Sequence, residues 1–173
     1  MANAAEPKRH FVVMGVAGSG KSTIAELLAR RLDYTLVEGD AHHPAENIAK
    51  MSAGVPLDDD DRKPWLRTLG ALLRDSETPV VLTCSALKRS YRDLLREVSG
   101  GEIVFVYLHG DRDLLAERMN HRTGHFMPPS LLESQLASLE VPGEDEQSIR
   151  VDIGPPPETI VDSIVAALGR GQA

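Results

Sequence analysis

Five apolar runs of strand length, at residues 10–16, 34–40, 79–85, 102–110 and 150–154, alternate with segments whose apolar residues recur at helical spacing. Leu27, Leu28 and Leu32 mark one helical face, and Leu66, Leu69, Leu72 and Leu73 mark a second. A third carries Leu87, Tyr91, Leu94, Leu95 and Val98, and a fourth Ile160, Ile164 and Leu168. This alternation predicts βαβ units, and hence an α/β fold with a five-stranded parallel sheet flanked by helices. Two stretches break the rhythm: 41–64, with a short helical pattern around Ile48 and Met51, and 120–143, which holds three prolines. Insertions of this length in a compact α/β domain are usually functional. The acidic run 58–61 precedes Lys63 and Pro64 and predicts a helix start, with carboxylates at the positive end of the dipole and proline in the first turn.

Length and composition narrow the picture without changing it. The 173 residues suit one domain, and 42% hydrophobic with 26% charged residues is the balance of a soluble globular protein. A net charge of −7 disfavours bulk binding to nucleic acid or an anionic membrane, yet leaves room for a local anion site in a cleft. Cys84 is the only cysteine, so an intrachain disulfide and a Cys-based metal cluster are excluded and a reducing compartment fits. Its simplest role is a small buried hydrophobe. The longest apolar runs, 11–16 and 103–108, fall far short of the roughly 20 residues of a spanning helix. The first ten residues lack the apolar core of a secretory signal, and a cytoplasmic location is expected.

Gly15-Val16-Ala17-Gly18-Ser19-Gly20-Lys21-Ser22 matches G-x-x-x-x-G-K-[ST] and lies between an apolar strand and an amphipathic helix, where that motif works as a P-loop. Glycines let successive N–H groups turn toward phosphate oxygens, and the helix beginning near Lys21, with Thr23 in its first turn, adds its dipole. Lys21 is expected to reach the β- and γ-phosphates of ATP, and the Ser22 hydroxyl to bind Mg²⁺. An Asp closing the third strand, the usual support for the metal, is absent from the run 79–85. Asp40 ends the second strand run, and ligands of parallel sheets gather beyond strand carboxyl ends. It is the candidate for metal support, for orienting an acceptor hydroxyl, or for both. Lys88, Arg92 and Arg96 follow at i, i+4 spacing with Arg89 beside them, either a basic stripe leading from the site or a solvated helix surface.

Further motifs extend the reading. They are Gly39-Asp40-Ala41-His42-His43-Pro44, Asn47-Ile48-Ala49-Lys50-Met51, Gly54-Val55-Pro56-Leu57, Arg62 and Pro64-Trp65-Leu66, then Cys84-Ser85-Ala86-Leu87-Lys88-Arg89-Ser90-Tyr91-Arg92-Asp93, Arg122-Thr123-Gly124-His125-Phe126-Met127 and Ser134-Gln135-Leu136. With the P-loop, these resemble the gluconokinases of the thermoresistant type, small P-loop sugar-acid kinases, over about residues 11–168. His42 stands where an apolar or aromatic residue is common in that family.

The resemblance implies a nucleoside-monophosphate-kinase-like and shikimate-kinase-like fold over 1–173, with 41–64 as a substrate-binding insertion and 120–143 as a mobile lid region. It implies transfer of the γ-phosphoryl of ATP to the 6-hydroxyl of D-gluconate, with Mg²⁺, by a homodimer. Asp40 would orient that hydroxyl and take its proton, while Lys21, Mg²⁺ and the lid residue Arg122 neutralise the migrating group. Lys88, Arg92 and Arg62 would fix the acid end of the sugar. His43, Ser85, His125 and Gln135 would also contact the substrate. Arg118 and Arg122, four apart, would divide the adenine side and the phosphates between them, and the loop ending at Pro157 would border adenine. Plainer roles stand beside these: Arg62 pairing with Asp60 or Asp61, His43 as a helix-start or core residue, Trp65 as wall, and 153–157 as a rigid turn into the last helix. The same scaffold also suits shikimate, a nucleoside monophosphate, another aldonate, or a nucleotide sensor without transfer.

Overall fold

Phe11 and Val13 face one side of the first strand and Val12 and Met14 the other, and all four are buried. Double coverage is why the strand reads as an unbroken apolar run rather than an alternating one. The computed structural model describes residues 9–121 and 129–170. Its strands are β1 (Arg9–Met14), β2 (Thr35–Glu38), β3 (Val80–Thr83), β4 (Glu102–His109) and β5 (Ser148–Asp152). They form one parallel sheet in the order β2-β3-β1-β4-β5. The helices are α1 (Lys21–Leu32), α2 (Ala45–Ser52), α3 (Asp59–Asp75), α4 (Arg89–Ser99), α5 (Arg112–Asn120), α6 (Pro129–Ser138) and α7 (Pro157–Arg170).

Two cores result. Ile24 and Leu28 of α1, Leu115 of α5, Leu132 of α6 and Ile160 and Ile164 of α7 pack with Phe11, Val81, Val104 and Val106. On the other side, Trp65, Leu66, Leu69 and Leu73 of α3 and Tyr91 and Leu95 of α4 pack with Val12, Met14, Leu82 and Phe105. Among the described residues, no helix is long and apolar enough to cross a membrane.

The strand runs end earlier than their apolar pattern predicts. Gly15 turns the chain at φ 151°, so β1 stops at Met14. β2 stops at Glu38 because 39–42 wind into a 3₁₀ turn, which lifts Asp40 off the strand. The last strand lies two residues earlier than 150–154, since Ser148 and Ile149 pair with Phe105 and Val106. The acidic run does cap α3: Asp58 accepts from the Asp61 N–H at 2.8 Å and Asp61 accepts from the Asp58 N–H at 3.0 Å. That box starts the helix at Asp59, so Pro64 falls a turn later than predicted.

The sheet order sets the site. The order of strand addition switches sides at β1, whose neighbours are β3 and β4, and because all strands are parallel the loops after β1, β2 and β3 share one edge. Gly39 lies at the tightest point of that edge, where an added Cβ would sit 2.1 Å from the Thr83 carbonyl oxygen. Gly39→Ala is therefore expected to cost about 1–3 kcal/mol, because backbone must move to admit the methyl group. Urea unfolding reads this directly; an unchanged midpoint would mean the β2–β3 junction has slack.

Candidate active site

The loop between β1 and α1 is shaped for an anion. Gly20 caps α1 at φ 88°, and Gly18, at φ 82°, brings backbone so close to α5 that a Cβ would meet the Leu115 carbonyl at 2.9 Å. Lys21 folds over the loop, Nζ donating to the Gly15 and Val16 carbonyls at 3.1 and 3.2 Å. Ser19 is buried and its Oγ has no hydrogen-bond partner among the described residues, a polar group held ready in the cradle. Gln135, expected at the substrate, sends Oε1 from α6 to the Ala17 N–H at 2.6 Å and thus contacts the cradle itself.

Beside the loop, the end of β2 carries two carboxylates with different neighbours. Ser22 Oγ donates to Glu38 Oε2 at 3.2 Å, and Thr83 Oγ1 donates to the same oxygen at 2.5 Å. Glu38 rather than Asp40 is therefore the carboxylate at Ser22, because the 3₁₀ turn carries Asp40 away from the strand line. Glu38, a second acid at the same strand end that the sequence reading did not single out, could hold a metal together with Ser22. A hydroxyl and a carboxylate are hard oxygen donors that fit Mg²⁺, which takes few protein ligands and keeps water and phosphate oxygens for the rest. No group of three His, Cys, Asp or Glu among the described residues forms a fuller metal cluster.

Asp40 stands in the open, its side chain 90% exposed, with His43 Nε2 3.8 Å from Oδ1. The His43 side chain is buried and stacks on Trp65 with ring centroids 4.1 Å apart, while Trp65 Nε1 donates to the Gly39 carbonyl at 2.9 Å. Trp65 is thus wall, as expected, but wall that grips the turn bearing Asp40. The buried Cys84 thiol at the end of β3 has its pKa pushed up to about 12, chiefly by burial. It also feels Asp40 in one direction and Lys21 and Arg62 in the other, so these three charges converge on one strand end.

Arg62 and Lys88 meet over Tyr91. The guanidinium carbon lies 5.6 Å and the ammonium 5.7 Å from its ring centre. Arg62 donates to the Leu57 carbonyl at 2.6 Å, and Asp60 and Asp61 are instead taken by Lys63 and Lys50. Asp59 accepts from Tyr91 and from Lys88, the latter at 3.1 Å, and those two bonds hold its carboxyl below the ordinary range. Ser85 joins this wall to the phosphate loop, its carbonyl accepting the Gly15 N–H at 3.3 Å.

Arg92 does not belong to that group. Its side chain is 0% exposed and grips Glu146, itself 2% exposed, at 2.7 Å, while Nη1 donates to the Ala86 carbonyl at 2.8 Å. Arg96 also pairs with Glu146 at 2.9 Å. The predicted stripe fails because helix spacing gives a face, not what covers it: the segment at 139–147 packs over α4 and brings Glu146 inward. Burial alone would raise the Glu146 pKa, but hydrogen bonds from Arg92, Arg96 and the Gly143 N–H outweigh it and hold it at about 2.

At the other end, Ser19, Gly20, Thr23, Arg118, Pro155 and Pro157 line a cleft of about 150 Å³. Arg118 donates to the Ile153 carbonyl at 2.6 Å, and Pro157 both begins α7 and walls the cleft. α5 ends at Asn120; Arg122 and His125 lie outside the described residues.

A phosphate loop at the edge where β1, β2 and β3 end, with an exposed acid and two cations opposite, defines a small P-loop kinase. A family model described as an AAA domain matches residues 11–142. The gluconokinase of Gluconobacter oxydans (strain 621H) is 49% identical over 91% of this chain and 89% of its own. The crystal structure of a gluconokinase from Sinorhizobium meliloti 1021 superposes with a TM-score of 0.86 at 55% identity, covering 95% of this chain and 93% of that one. Shikimate kinase from Aquifex aeolicus shares the fold at 19% identity, with a TM-score of 0.61 over 95% of this chain and 98% of its own. The chain belongs to the gluconokinase family.

The Arg92–Glu146 pair yields a stability test. Arg92→Ala strands a buried carboxylate and is expected to cost about 3–5 kcal/mol in urea unfolding. Because the folded-state pKa of Glu146 lies near 2, against 4.5 ordinarily, its contribution is complete above 4.5 and is lost as pH falls toward 2. Acid-unfolding curves should accordingly show a shallower pH dependence in that window for Arg92→Ala than for the parent; parallel curves would contradict the assignment.

Proposed function

We propose that this protein is an ATP-dependent gluconate kinase, moving the γ-phosphoryl group of ATP to the 6-hydroxyl of D-gluconate. The observation that carries the reading is the exposed Asp40 carboxylate beside the phosphate loop, with Arg62 and Lys88 as cations for an acid group. In the transfer, a bond forms between the sugar O6 and the γ-phosphorus as the β–γ bridging P–O bond breaks and ADP leaves with the electron pair. Asp40 orients the hydroxyl and takes its proton at or after transfer, since a loose transition state demands little base strength early. Lys21 and the N-terminus of α1 offset charge on the phosphates. Mg²⁺, when bound, supplies further charge neutralisation, and Ser22 with Glu38 are the residues that would hold it.

Lys88 and Arg62 hold the carboxylate end, with Ser85 and His43 along the pocket, Gln135 where the phosphate loop meets α6, and Arg118 and Pro157 on the adenine side. Arg122 and His125, from the expected lid, complete the set by family resemblance. The reading includes one domain over 1–173, with 41–64 serving the substrate and 120–143 covering it, and a cytoplasmic homodimer. The family membership and the single buried cysteine support these last points.

Coupled measurement of ADP release across gluconate, other aldonates, shikimate and nucleoside monophosphates tests the acceptor. Gluconate is expected to give the highest kcat/KM; a higher value for shikimate or a monophosphate would reject the assignment, and ATP binding without ADP from any acceptor would favour a sensor. Lys21→Ala and Asp40→Asn should stay folded and lose roughly 100-fold or more in kcat. Lys88→Ala should raise the KM for gluconate and leave that for ATP unchanged; the reverse pattern would put Lys88 at the wrong end of the cleft.

A further inference from the structure

His43 has its ring proton assigned by its neighbours. Nδ1 lies 3.2 Å from Asn47 Nδ2, and that same Nδ2 lies 3.0 Å from the backbone carbonyl of Asp61. A carbonyl only accepts, so the Asn47 atom facing it is the amide nitrogen; turned over, the amide would set oxygen against oxygen. Asn47 is 2% exposed, so its amide is oriented by these protein partners. The nitrogen donates to both partners, Nδ1 of His43 is an acceptor, and the ring proton resides on Nε2. That nitrogen is the one facing Asp40 Oδ1.

The surroundings keep the ring neutral and still. Burial lowers the His43 pKa, Asp40 opposes this, and Arg62 adds to the lowering, with a net downward shift. Stacking on Trp65, which itself bonds the Gly39 carbonyl, fixes the ring relative to the turn that carries Asp40.

We propose that His43 is a positioning residue for Asp40: its Nε2–H, fixed by Asn47, directs one carboxylate oxygen and leaves the other for the acceptor hydroxyl. The present 3.8 Å separation is longer than a hydrogen bond, and rotation of the exposed Asp40 side chain about its own torsions closes it. A neutral imidazole donates here without adding a charge that would compete for the hydroxyl proton. This rests on Asp40 serving as the base of the proposed reaction.

A double-mutant cycle tests it. His43→Phe keeps a flat ring against Trp65 and is expected to lower kcat by roughly 10- to 100-fold while the KM for ATP holds. His43→Gln, which returns an N–H near the Nε2 position, should recover most of that loss. In an Asp40→Asn background, His43→Phe should cost little more, because its effect acts through the missing carboxylate. Wild-type kcat in His43→Phe, or a full additional loss in the double variant, overturns the proposal. Near-normal kcat in Asp40→Asn alone removes instead the base reading on which it rests. Independently of any variant's folding, ¹⁵N NMR of the parent protein should show the Nε2–H tautomer at neutral pH; an Nδ1–H tautomer or an imidazolium overturns the assignment.

Discussion

Thr83 joins the ends of two neighbouring strands through one hydroxyl, accepting from the Gly39 N–H at 3.2 Å and donating to Glu38 at 2.5 Å. Glu38 in turn receives Ser22, the second residue of α1, so a single chain of hydrogen bonds ties β3, β2 and the phosphate-binding helix. Parallel strands alone bring loops to one edge; this chain of bonds fixes how they meet there. Bonds to a carboxylate are worth about 1.5–3 kcal/mol each, enough to hold an irregular turn in one geometry. Gly39 completes the constraint, since no side chain fits between the turn and the Thr83 carbonyl. The place of Asp40, one residue on, follows from it.

The cations around the cleft divide by what neutralises them. Lys88 and Arg62 are tethered at a surface, to Asp59 and to Tyr91, where water and an arriving anion can compete. Arg92 spends its charge inside, on Glu146, and its remaining donors on the carbonyls of Ala86 and Leu87. Ala86 has φ 45°, a conformation that a residue with a side chain adopts only when its surroundings hold it there. The buried pair thus supports the bend that presents Ser85 and Lys88, an indirect service to the site that a solvent-facing arginine could not provide.

The parts of this protein legible in its residue order are those governed by local rules. Apolar runs separated by helical periodicity specify the parallel sheet, because covering both faces forces that pattern. The phosphate loop is legible for a related reason: glycines at 18 and 20 answer to backbone geometry within a few residues. Arg92 was misread because its fate depends on Glu146, 54 positions away and in a segment with no periodicity of its own. Glu38 was missed for the opposite reason, being so near Asp40 that strand geometry gave no ground for separating them; only the 3₁₀ turn does so.

Gln135 joins α6 to the phosphate loop. Its amide oxygen holds the Ala17 N–H at 2.6 Å, in a loop whose N–H groups are turned inward by the glycines around them. One N–H cannot bond strongly to two acceptors in the same direction, so a phosphate oxygen at Ala17 and this contact exclude each other. The bond therefore fixes α6 against the phosphate loop at Ala17, beside the anchorage that Leu132 gives the helix in the core. The resemblance to sugar-acid kinases implied an acceptor contact for Gln135; its amide oxygen is engaged by the phosphate loop, which leaves its amide nitrogen as the group that can face a substrate.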